Sequence, residues 1–181
     1  ISTPDENILV HIKKNYPDII VNHRPEHLAK INTHLEDTIS YTMDCYSEIF
    51  ADVQLVMVLH IDAPFRKAFY LDKAINTSKL FETDTLIAVR PDDSLFFKHQ
   101  GGGLEPLHQE RLRLERDFIY RQVGAMRVFR KEFFLENHQL TGGRMGHIVM
   151  DELAAITVNS ELSWKISEQL YQQQLSSSNI E

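Results

Sequence analysis

The segment His60-Ile61-Asp62-Ala63-Pro64-Phe65-Arg66 gathers an imidazole, a carboxylate and a guanidinium in one short stretch. A guanidinium holds a carboxylate or phosphate bidentately. A carboxylate holds a metal ion or a sugar hydroxyl. The segment follows an apolar run, Val53 to Leu59, that reads as a buried strand. Ligands in open α/β sheets bind beyond the C-terminal ends of strands. From position alone, a ligand-binding loop and an ordinary helix-capping turn fit equally well.

Other candidates have plainer explanations. His23 and His27 stand at i, i+4, the spacing of a helical metal pair, but Pro25 breaks the helix that pair needs. They read as solvated loop histidines. Gly101-Gly102-Gly103 lacks the Lys-Ser/Thr ending of a phosphate loop and reads as a hairpin turn. Glu110, Arg111, Arg113, Glu115, Arg116 and Asp117 form either an active-site rim or a solvated, salt-bridged face, and spacing favours the second. Cys45 and Trp164 read as packing residues. No Ser-His-Asp or Cys-His arrangement is apparent.

Bulk properties narrow the class. The chain has 181 residues, 43% of them hydrophobic, enough for one domain with a core. Its net charge is -7 and no basic stripe is present, so nucleic-acid binding is not expected. The longest apolar run is far shorter than the roughly 20 residues of a membrane helix. A single cysteine and no signal peptide point to the cytoplasm. Position 1 is Ile, so a native start is not expected there.

The elements that must position these groups follow from periodicity. Thr3-Pro4-Asp5-Glu6 predicts a helix start capped by Thr3, with the helix ending before Pro17. Asp18 to Val21 predicts a short buried strand, and Thr33 to Phe50 one long helix. Val53 to Leu59, apolar on both faces, predicts a central parallel strand. A helix over Phe69 to Phe81 and a strand over Thr85 to Val89 continue a βαβαβ alternation, the pattern of a parallel sheet covered on both faces. Leu95 to Gly103 predicts a hairpin or excursion. Strands then follow at Val123 to Phe129 and His147 to Met150, a helix at Lys131 to Asn137, and an extended stretch at Ala155 to Val158. A last helix starts at Ser160 and runs to about Gln174, with a frayed tail from Ser176 to Glu181. One domain over residues 1–175 is expected.

Taken in order, these segments resemble the N-acylneuraminate cytidylyltransferases. Ile1-Ser2-Thr3 and the helix after it resemble the family's second strand and its Ser-Thr-Asp turn. Arg24-Pro25 with Leu28-Ala29 resembles its Arg-Pro-x-x-Leu-Ala turn. The His60 to Arg66 loop lies where the family has Gln-Pro-Thr-Ser-Pro-Leu-Arg. Gly103-Leu104-Glu105-Pro106-Leu107 resembles a hairpin return. Tyr120-Arg121 with Gly124-Ala125 resembles Tyr-Arg-x-Asn-Gly-Ala. Gly142 to Glu152 resembles its small-residue turn and strand, and Ser160-Glu161-Leu162 lies where it has Asp-Ser-Glu-Leu-Asp.

The resemblance implies an α/β, three-layer Rossmann-like sandwich of the nucleotide-diphospho-sugar transferase type, with a mainly parallel sheet. It implies transfer of CMP from CTP to a sialic-type (nonulosonic) acid sugar, with Mg²⁺ neutralising phosphate charge. Arg66 and Arg121 would be the catalytic residues, and His60, Asp62 and Gly124 would contact substrate. A homodimer would form through Leu95 to Phe118. Relative to the family, the chain starts at the second strand, without the first strand and its triphosphate loop. His60 and Asp62 replace the loop's glutamine and threonine, and Val123 replaces an asparagine. Thr157 and Asn159 stand at the two metal-binding aspartate positions. Asp62, Asp151 and Glu152 are the carboxylates that can substitute. The alternative is a degenerate, non-catalytic domain that serves as a binding or assembly module.

Overall fold

A computed structural model describes residues 1–107 and 119–178. The charge cluster from Glu110 to Asp117, and the second part of the excursion expected to form a dimer, lie outside the described residues. The chain divides into two compact units, residues 1–54 with 131–140, and residues 55–130 with 141–181.

In the first unit, strands β1 (Ser2–Thr3) and β2 (Asn22–His23) pair in parallel around helix α1 (Glu6–Asn15). Asp5, not Thr3, is the N-cap: its Oδ1 accepts the Asn7 and Ile8 N–H groups. Thr3 is a strand residue, and its hydroxyl accepts the Asp5 N–H. The helix ends at Asn15, ahead of Pro17 as predicted. The strand expected at Asp18 to Val21 begins later, at Asn22, because Ile19 and Ile20 lie exposed in a turn. The long helix expected over Thr33 to Phe50 is two, α2 (Leu35–Cys45) and α3 (Ser47–Phe50), broken at Tyr46. Tyr46 leaves helical geometry and donates its hydroxyl to the Val21 carbonyl. Cys45, at the end of α2, is exposed and not a core residue. Helix α5 (Lys131–Asn137) sends the Lys131 ammonium to the Phe50 and Ala51 carbonyls, which satisfies orphan acceptors at the end of α3.

The second unit carries a four-stranded sheet in the order β3 (Leu55–Leu59), β7 (Ile119–Arg130), β4 (Thr85–Asp92), β8 (Met145–Val149). Three strands run in one direction. β7 runs against them, inserted between β3 and β4, so the sheet is mixed. The apolar run expected to be central is an edge strand: among the described residues β3 pairs only with β7, and its side chains are half-exposed. The centre falls to β4 and β7, which bury Leu86, Ala88, Met126, Val128 and Phe129. Helix α4 (Ala68–Leu80) buries Tyr70, Ala74 and Ser78, an i, i+4, i+8 stripe, and packs on this sheet. Strands β5 (Phe97–His99) and β6 (Leu104–Pro106) make the expected hairpin around the triple glycine. The last helix, α6 (Glu161–Ser178), runs past Gln174. Its start is capped by Ser160 Oγ, which accepts the Ser163 N–H.

Gly143 cannot be replaced cheaply. Its φ is +61°, and an added Cβ would stand 2.5 Å from Asp84 Oδ2. That carboxylate accepts the Arg144 N–H and so ties the turn before β8 to the start of β4.

Candidate functional site

The β4–β7 register jumps between Ile87↔Arg127 and Val89↔Gln122. β7 therefore carries extra residues, Val123 to Met126, in an irregularity next to the regular ladder. Gly124 and Ala125 fall inside it. Such a bulge turns backbone groups away from their strand neighbours, and here one of them is claimed by a side chain. Arg66 Nη1 donates to the Ala125 carbonyl at 2.6 Å and to the His60 carbonyl at 3.0 Å. Arg66 thus pins the loop after β3 to the bulge in β7. The Asp62 carbonyl accepts the Val158 N–H at 2.8 Å, which draws the segment before α6 to the same loop.

Gly124 lies where these pieces meet. A Cβ there would sit 3.8 Å from Asp62 Oδ1 and 3.9 Å from the Thr157 methyl carbon. Asp62 Oδ1 and His60 Nε2 are buried and have no hydrogen-bond partner among the described residues. Burial, then the guanidiniums of Arg127 and Arg66, hold His60 below the usual histidine range, against the pull of Asp62. A neutral imidazole and an acceptor oxygen without a donor suit a ligand that brings hydroxyl groups.

Beside this loop is a cleft of about 470 Å³, lined by Arg90, Arg121, Gly124, Glu152, Thr157 and Asn159 among others. It lies at the C-terminal ends of β4 and β8, the edge at which open α/β sheets bind ligands. Of the residues expected from sequence, Arg121, Gly124, Thr157 and Asn159 share the cleft, and Asp62 reaches it at Gly124. Arg66 and His60 do not line it. Sequence reasoning missed Arg90 and Gln122. Arg90 is legible only through the strand register, which sets it opposite Arg121. Trp164, expected to pack, is 61% exposed. Ala155 to Val158, expected to be extended, starts as a turn.

A divalent metal does not fit these donors. Thr157 brings a methyl group and a hydroxyl, not a carboxylate, beside Gly124, and Asn159 offers a neutral amide. Asp151 is occupied: it accepts the Ala154 N–H at 2.7 Å and the Tyr70 hydroxyl at 2.9 Å, with Lys67 beside it. Those bonds hold it below the usual carboxylate range. Glu152 is paired with Arg90. Among the described residues, no group of three or more His, Cys, Asp or Glu could hold a metal ion.

No protein-family model and no curated protein sequence matches the chain. Solved structures do. The 4-diphosphocytidyl-2C-methyl-D-erythritol synthase from Anaerococcus prevotii matches with a TM-score of 0.66 at 14% identity, over 95% of this chain and 79% of that one. The 2-C-methyl-D-erythritol 4-phosphate cytidylyltransferase from Thermus thermophilus matches with a TM-score of 0.51 at 9% identity, over 92% and 88%.

The chain shares the α/β fold of these two structures. The α/β class expected from the sequence is therefore the one observed, reached by a backbone likeness that survives very low identity. Among the described residues, no helix is long and apolar enough to cross a membrane.

Proposed function

We propose that this chain is a cytidylyltransferase-like protein whose cleft takes CTP and an acidic sugar, with CMP transfer to a sialic-type acid as the reaction. The observation that carries the proposal is the convergence of Arg121, Gly124, Thr157 and Asn159 on one cleft, at the strand edge where this class of fold binds ligands. In this reading Arg121 meets phosphate, Gly124 lets a ligand approach the backbone, and Asp62 accepts a hydroxyl of the sugar. Arg66 acts as a positioning residue through the bulge. The acceptor named for one structural neighbour is a polyol phosphate. A nonulosonic acid shares its chemistry of several hydroxyls and one anionic group. The reading carries with it a cytoplasmic setting and a homodimer through the hairpin region.

The test is pyrophosphate release from CTP, offered a panel of nonulosonic acids and, separately, 2-C-methyl-D-erythritol 4-phosphate. Release with a nonulosonic acid is expected. Release with the polyol phosphate alone would replace the acceptor, and no turnover with CTP bound would favour the second reading.

That second reading is a domain that binds without turnover. The neutral Thr157 and Asn159, with Asp151 and Glu152 already engaged, favour it. The double substitution Thr157→Asp, Asn159→Asp separates the two. It should create or raise Mg²⁺-dependent release if the rest of the site is intact, and do nothing in a pure binding module.

A further inference from the structure

The register of β4 and β7 sets Arg90 directly opposite Arg121. Opposed residues in an antiparallel ladder share a face, with Cβ atoms about 5 Å apart, and like charges so placed are destabilising. Both arginines line the cleft. Among the described residues, each is ion-paired with one carboxylate: Asp92 Oδ2 lies 3.5 Å from Arg121 Nε, and Glu152 pairs with Arg90. The two carboxylates are held differently. The Asp92 side chain is 14% exposed and accepts the Ser94 N–H. The Glu152 side chain is 84% exposed and stands in the turn after β8, with Arg90 its only partner among the described residues. An incoming anion can therefore displace Glu152 at little cost, while Asp92 stays with Arg121.

We infer that Arg90 and Arg121 together hold the phosphate of the cleft's ligand without a divalent cation, and that Glu152 competes with that phosphate for Arg90. Two guanidiniums on one face supply the positive charge that the donors around Thr157 and Asn159 cannot recruit through a metal. The inference rests on the nucleotide reading above for the identity of the ligand, and on the arginine register for everything else.

The experiment is calorimetric titration of the full chain with CTP and with inorganic pyrophosphate, each in EDTA and in Mg²⁺. Binding of both probes in EDTA is expected. Arg90→Gln and Arg121→Gln should each weaken it roughly ten- to hundredfold, the span of a charge-assisted hydrogen bond. Glu152→Gln should tighten it severalfold. Unchanged melting temperatures show that the variants are folded. CTP binding that appears only with Mg²⁺ would overturn the inference and leave the nucleotide reading standing. Pyrophosphate binding with the arginine dependence, but no CTP binding, would do the reverse. Binding of neither probe would remove both. A Glu152→Gln variant that binds more weakly would eliminate the competition.

Discussion

One strand, β7, lives in two environments. Its second part, from Arg127 to Phe129, has neighbours on both sides, β3 and β4, and buries Val128 and Phe129 almost completely. Among the described residues, its first part, Ile119 to Gln122, pairs with β4 alone, and Tyr120, Arg121 and Gln122 are exposed. The bulge around Gly124 separates them. The difference shows how a single strand can anchor a core and floor a cleft. Closing both hydrogen-bonding edges excludes water and demands apolar side chains. Leaving one edge open admits water, charge and ligand.

Four measurements press on this contrast. Phe129→Ala, in the closed part, should cost about 3–5 kcal/mol of stability in urea unfolding, since a fully buried aromatic leaves a cavity. A loss under about 1 kcal/mol would mean that the closed part is not the core. Arg66→Met acts at the divide. It strands the Ala125 and His60 carbonyls and should cost about 1–3 kcal/mol, with weaker ligand binding as the bulge relaxes. Unchanged stability would show that the bulge holds itself.

Arg121→Gln, in the open part, should change stability by no more than about 0.5 kcal/mol, because the Arg121 side chain is itself exposed and a like-charge neighbour is relieved. A large loss would erase the distinction between the two parts. The smallest effect is a pH dependence at His60. Its folded pKa lies below the usual 6.5, so the unfolded chain takes the proton first as pH falls. The stability it contributes is full above about pH 6.5 and is lost below it. Comparing melting temperatures near pH 7.5 and pH 5.5, His60→Gln should lose less on acidification than the native chain. An equal loss would show that His60 is not held neutral by the fold.

Much was legible in the residues alone. The α4 helix, the Lys131–Asn137 helix and the glycine hairpin follow from spacing and turn chemistry, which are local. So does the α/β alternation. Arg121, Gly124, Thr157 and Asn159 were marked by the resemblance to the N-acylneuraminate cytidylyltransferases, and they share one cleft. Local signals failed where competition with distant groups decides. Thr3 lost the cap to Asp5 because a parallel partner, His23, holds it in a strand. The helix break at Tyr46 depends on a carbonyl far back in sequence.

The sequence by itself determined which segments are apolar, which turn, and which residues carry charge, because periodicity and side-chain chemistry are properties of neighbours along the chain. Only the tertiary structure decided that β3 sits at the edge and β7 at the centre. An apolar run reports how well it can be buried, not which strand will bury it. Tertiary structure also decided that Arg66 pins a bulge and that Arg90 faces Arg121, since strand register is a relation between segments that no single segment contains.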